Sequence, residues 1–180
     1  MTAICSAWCT LLDKRIVSAA RQVALFGMLG AMTFGAKFVM AGLPNIEPVS
    51  LLVMLFAVTL GKKALFPIYT YVLLELTLNG IGLWTVAYIY VWLPLALAAY
   101  LLRRMESPVG WAILSGSFGL LFGALCALVS LLAGGPAFAL SWWLNGIPFD
   151  LLHCVGNFIL ALVLFVPMRT LLSRLLSRSS

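Results

Sequence analysis

Apolar residues along this chain form long, nearly uninterrupted blocks, and the polar positions between them are few and clustered. Val49–Leu60, 87–102 and 158–166 are typical of these blocks. A hydrocarbon layer of about 30 Å takes about 20 helical residues, fewer with local thinning and more with tilt. That ruler marks six segments, at about 16–41, 46–60, 64–79, 83–102, 109–132 and 139–166. The second and third are short, and the last is overlong with Pro148 as a candidate break. Turn chemistry falls between the segments: Gly42-Leu43-Pro44-Asn45, Gly61, Asn79-Gly80-Ile81-Gly82, Ser107-Pro108 and Gly134-Gly135-Pro136. The expected fold is an all-α membrane protein, six transmembrane helices in one bundle.

Composition agrees, with 64% hydrophobic residues, 9% charged residues and a mean hydropathy of +1.14. The blocks leave no room for a separate soluble domain. We expect a lead-in at 1–15, a six-helix substrate-binding domain at 16–168 and a basic tail at 169–180. The lead-in has no basic n-region or small-residue cleavage site, so it does not read as a removable signal peptide.

The net charge of +6 reports topology rather than nucleic-acid binding, because the basic residues form no patch interleaved with exposed aromatics. Of 11 Lys and Arg, all but Lys37 precede or open the first segment, fall in the second–third or fourth–fifth connection, or follow the sixth. By the positive-inside rule both termini are then cytoplasmic. Cys5, Cys9, Cys126 and Cys154 show no metal-finger spacing and read as membrane packing without a disulfide.

An ionisable group inside a span is costly unless it finds a partner or water, which makes each one a functional candidate. On the side opposite the basic clusters lie Lys37, Asn45, Glu47, Glu75, Asn79, Asn145, Asp150, His153 and Asn157. Gly146, Asp150, His153 and Asn157 share one helical face that should point into the bundle. Three readings of that face are open: an interhelical hydrogen-bond network, a ligand-lining surface, or metal ligation by Asp150 and His153. Trp84, Tyr88, Tyr90, Trp92, Trp142 and Trp143 suit an interfacial belt, with some of them free to turn inward and stack on a flat ring. Three carboxylates against one lysine favour a substrate carrying a cationic or hydrogen-donating nitrogen. In the first segment Gly27, Ala31 and Gly35 form a small-residue stripe, suited to internal packing or to docking a partner helix.

The chain has no G-x-x-x-x-G-K-[ST], HExxH or G-x-S-x-G motif and no recognisable nucleophile–base pair, so energy for transport must come from elsewhere and no enzyme is expected. The six-segment layout, the small-residue stripe, Leu43-Pro44-Asn45-Ile46-Glu47-Pro48-Val49 and Phe149-Asp150-Leu151-Leu152-His153-Cys154-Val155-Gly156-Asn157 resemble the substrate-binding S component of energy-coupling factor (ECF) transporters, over residues 16–170. The resemblance implies a multi-pass protein of a prokaryotic cell membrane that captures a vitamin or related micronutrient from outside. It also implies a partner T component and two cytoplasmic ATPases that drive import, with no cofactor or resident metal. Substrate would be held by Asn45, Glu47, Glu75, Asn79, Trp84, Asp150, His153 and Asn157, and the T component docked at Gly27, Ala31 and Gly35. The stripe here is Gly/Ala/Gly where alanines are usual, and the start of the chain lacks the histidine of nickel and cobalt importers. A self-sufficient secondary transporter or channel is the alternative, but it needs a polar path through inner halves that are almost wholly apolar. A membrane-embedded enzyme using Asp150 and His153 as acid and base is the second rival.

Overall fold

The computed structural model describes residues 2–42 and 47–177, with the backbone alone for 2–18. Asn45 therefore lies outside the described residues. Apart from short connections those residues are helical, with no strand: α1 (Thr2–Val39), α2 (Val49–Leu60), a 3₁₀ turn (Gly61–Ala64), α3 (Leu65–Leu78), α4 (Leu83–Leu101) and α5 (Pro108–Ser177). Helix is the expected outcome for chains this apolar, because it satisfies every backbone N–H and C=O within the segment. The expected lead-in continues α1 down to Thr2, and most of the expected tail continues α5 to Ser177.

Four stretches are long and apolar enough to cross a membrane: Ala19–Val39, Val49–Leu78, Leu83–Leu101 and Pro108–Ser177. Among the described residues that is four where the hydropathy ruler marks six, and two of the four double back along their length. Gly61 (φ 60°) ends α2, and Gly135 (φ 79°, ψ −176°) interrupts α5. Positive φ is a conformation that only glycine adopts at little cost. Pro148 does not break α5, which stays helical through it.

Contacts fix the directions. At one end Lys37 of α1 meets Glu47 ahead of α2, Glu75 of α3 and Tyr88 of α4. At the other end Lys63 donates to Gln22 Oε1, Tyr100 of α4 approaches Gly61, and the Arg169 guanidinium donates to the carbonyls of Arg103 and Met105. So α1 and α3 run in one direction and α2 and α4 in the other. The two arms of α5 lie antiparallel: Trp111 stacks on Phe165 at 4.2 Å, Gly116 faces Cys154 and Phe158, Gly119 faces the His153 backbone, and Gly123 faces Asp150.

The apolar α2 is innermost, with Val49, Ser50, Leu51, Val53, Met54, Leu55, Phe56 and Ala57 buried against α4 and α5. α1 packs mainly on α3, through Phe26 stacked on Phe66 at 5.3 Å and through Gly30, where a Cβ would sit 2.5 Å from that of Thr70. Outward faces carry Met28, Met32, Leu73, Leu97, Leu151, Val155 and Val163, all exposed. That much open apolar surface suits a hydrocarbon solvent and is compatible with membrane insertion.

Candidate functional site

The polar residues at the Lys37 end converge on one ammonium. Lys37 Nζ lies 2.9 Å from Glu75 Oε1 and 3.8 Å from Glu47 Oε2, and it donates to the Tyr88 hydroxyl at 3.0 Å. It also stands over the Tyr88 ring at 4.7 Å and 6.0 Å from the centre of the Tyr71 ring. Glu75 is almost wholly buried, and its second oxygen accepts from Asn79 Nδ2 at 2.8 Å, one turn along the same helix. Glu47 precedes α2 and lies outside the spanning stretches. Burial pushes its carboxyl above the usual range, while the Lys37 ammonium pulls the other way.

Behind the ammonium the interior is aromatic. Tyr71, Tyr88 and Trp92 form a triangle with ring centres 5.3–6.1 Å apart. Trp92 then meets Phe118 and Phe122, and Phe122 meets the edge of the His153 imidazole at 4.8 Å. The α4 rings point inward because Thr85, Tyr88, Trp92, Leu95 and Ala99 lie on one face of that helix, and all are buried.

The C-terminal arm of α5 supplies the far wall. Asp150, His153 and Asn157 are all buried, as their spacing predicts, whereas Gly146 is half-buried with open space where a Cβ would stand. Asp150 Oδ1 accepts the Gly123 backbone N–H at 2.9 Å, an approach that needs glycine because any Cβ there would collide with the carboxylate. Asn157 Nδ2 donates to Ser50 Oγ at 3.0 Å and to the Ser115 carbonyl at 3.3 Å, tying α5 to α2.

Several polar atoms in this region are buried without a hydrogen-bond partner: Trp92 Nε1, Ser115 Oγ, Asp150 Oδ2 and His153 Nε2. Leaving such a group unpaired costs about 1–3 kcal/mol each. Water or a ligand would satisfy such groups, which makes them candidates for contact with either.

Of the residues singled out in the sequence, the structure brings Glu47, Glu75 and Asn79 together through Lys37, and Asp150, His153 and Asn157 together on α5. Trp84 does not join them; it is 62% exposed in the first turn of α4. Trp143 is likewise exposed. Tyr71, Phe122, Ser50, Ser115 and Gly123 belong to the region without having been singled out as site residues. The stripe also resolves: at Gly27 and Gly35 a Cβ would meet nothing within 4 Å, and Ala31 is exposed. Internal packing uses a neighbouring face of α1 instead, with Phe26, Leu29, Gly30 and Thr33 buried.

Among the described residues no three His, Cys, Asp or Glu side chains converge as a metal set, and Cys126 and Cys154 are free thiols. A groove of about 530 Å³ at the opposite end of the bundle is lined by Glu106, Val166, Arg169, Thr170, Ser173 and Arg174. It lies far from the buried polar set. Comparison with protein-family models, with curated proteins and with solved structures finds no match to this chain, so the functional reading rests on residues and geometry.

Proposed function

We propose that this chain is a membrane-embedded substrate-binding subunit that takes up a small organic solute, of the vitamin or micronutrient class, at the Lys37 end of the bundle. The observation that carries this reading is the set of buried, unpartnered polar atoms on Trp92, Asp150 and His153 beside packed aromatic rings. Ligand sites in membrane bundles combine such apolar walls with a few convergent polar groups. With the reversals at Gly61 and Gly135 counted, the chain crosses the bilayer six times. The basic residues Lys62, Lys63, Arg103, Arg104, Arg169 and Arg174 then lie at the cytoplasmic end, and the site opens outward.

The outward-facing stripe at Gly27, Ala31 and Gly35 supports a partner helix on α1, since its glycines make no internal contact that would explain them. A chain with no nucleotide-binding motif would depend on that partner and on ATPases for energy, as in the ECF importers that the sequence resembles.

A thermal-shift screen of the detergent-purified protein against vitamins and their precursors tests the binding role. A ligand at 100 times its Kd stabilises by about 2.7 kcal/mol. Glu75→Gln and Asp150→Asn are expected to weaken the hit by about 10- to 100-fold, as loss of a charged hydrogen bond of about 1.5–3 kcal/mol would do, with folded yield retained. A flat screen, together with solute flux by the chain alone in liposomes, would replace this reading with that of a self-sufficient carrier.

Docking has its own outcome. Ala31→Leu should abolish uptake in cells carrying the partner complex, and should leave ligand binding unchanged and stability within about 0.5 kcal/mol, as for other exposed positions. Loss of binding along with uptake would remove the stripe from the docking role.

A further inference from the structure

We propose that the Lys37 ammonium occupies the subsite of the ligand's own cationic nitrogen, so that the substrate is a cation attached to a flat ring and binds by displacing Lys37. This names the substrate class of the site above and rests on the binding-subunit reading.

The groups that the described residues place around Lys37 Nζ are acceptors. The carboxylates of Glu75 and Glu47, the Tyr88 hydroxyl and the faces of Tyr88 and Tyr71 surround one point. Two carboxylates and two π faces make a cage for a positive charge, because aromatic quadrupoles attract cations from above the ring. With both acids ionised, one lysine leaves the group one negative charge in excess.

The two sides of the ion pair differ in freedom. Glu75 is 2% exposed on its side chain and is held by Asn79, so it stays in place. Lys37 lies in the last turn of α1, 24% exposed, on a flexible four-carbon stem that can carry the ammonium to water once another cation takes its place at Glu75. An anionic ligand would have to draw Lys37 from both carboxylates and then lie beside Glu75, against like-charge repulsion. A cationic ligand takes over the existing acceptors. Its ring would extend toward Trp92 and Phe122, where Trp92 Nε1 lacks a partner. Protonated amines, amidines and ring-nitrogen cations on an aromatic or heteroaromatic body fit that description.

The test uses three probes with one ring and different charge: tryptamine, indole-3-ethanol and indole-3-acetate. Affinity for the purified full chain is measured by calorimetry, and the rate of Lys37 acetylation is followed by mass spectrometry with and without probe. Tryptamine is expected to bind at least 10-fold more tightly than the other two and to raise Lys37 reactivity several-fold, because displacement brings the amine into water. Lys37→Met should tighten tryptamine binding at least 5-fold, and the Lys37→Met/Glu75→Gln double variant, which keeps Glu47 as the one carboxylate of the cage, should lose most of the preference for the amine. Preference for indole-3-acetate, or protection of Lys37 on binding, overturns the proposal and leaves the binding-subunit reading standing. No response to any probe in affinity or in Lys37 reactivity also overturns it, and a flat vitamin screen would in addition remove the wider reading.

Discussion

Gly119→Val should leave little folded protein after detergent extraction, with a loss of at least about 3 kcal/mol in an SDS unfolding titration, at the upper end of what overpacking costs. A Cβ at Gly119 would lie 2.7 Å from the His153 carbonyl oxygen, 2.8 Å from its carbonyl carbon and 2.9 Å from the Cys154 nitrogen. These are backbone atoms of the facing arm of α5, so no side-chain rotation relieves the clash. The arms must separate, and with them the Trp111–Phe165 stack and the Gly123–Asp150 hydrogen bond. Gly119→Ala meets the same three atoms and should show the same defect in milder form. Gly27→Val is the control: nothing lies within 4 Å of its Cβ, so stability should move by no more than about 0.5 kcal/mol. Equal losses at Gly119 and Gly27 would mean that the effect is intrinsic helix propensity and not arm packing.

Membrane helices approach this closely where small residues face one another, and that much of the fold was legible. Of the glycines read as punctuation, Gly61, Gly80 and Gly135 have positive φ and so need glycine, whereas Gly42, Gly82 and Gly134 do not. What hydropathy could not supply is the choice of face. Gly27-Ala31-Gly35 and the Phe26-Leu29-Gly30-Thr33 face lie side by side on α1, and both are compatible with close packing. Only the position of α3 decides that Gly30 is covered while Gly27 and Gly35 are left open.

The site was legible in the same uneven way. The period of α5 placed Asp150, His153 and Asn157 on one inward face, and all three are buried. Trp84, Tyr88 and Trp92 were read together as belt aromatics free to turn inward, yet Tyr88 and Trp92 are buried and Trp84 is exposed. Residue type alone does not choose the face: in the first turn of α4 it is Thr85 that is buried and Trp84 beside it that is left outside. Tyr71 was hidden for a different reason. A tyrosine in an apolar run resembles a belt residue until Tyr88 and Trp92 are seen against it. Lys37 was visible as the one cation on its side, but its partners come from three other parts of the chain and no spacing rule connects them.

Lys37→Met should therefore be the most costly change to a single charged side chain at this site, destabilising the protein by about 3–5 kcal/mol at neutral pH, the usual result of removing one partner from a buried pair. It leaves Glu75, 1% exposed, facing Glu47 with no cation between them. Burial already holds the Glu47 carboxyl above its usual range, and losing the ammonium removes the pull that opposes it. The folded variant then holds more protons than its unfolded chain over the Glu47 titration, so its stability is highest at low pH and falls as pH rises through that range. Melting curves of Lys37→Met between pH 4 and pH 8 should accordingly converge on the wild type at the acid end and diverge from it at neutrality. Adding Glu75→Gln should recover more than half of the loss at neutral pH, since the two changes share one interaction and cannot be additive. If Lys37→Met proves neutral across the whole range, or if Glu75→Gln adds its own loss instead of offsetting the first, the ion pair does not hold α1 to α3, and the acceptors around Lys37 Nζ are not a cage for positive charge.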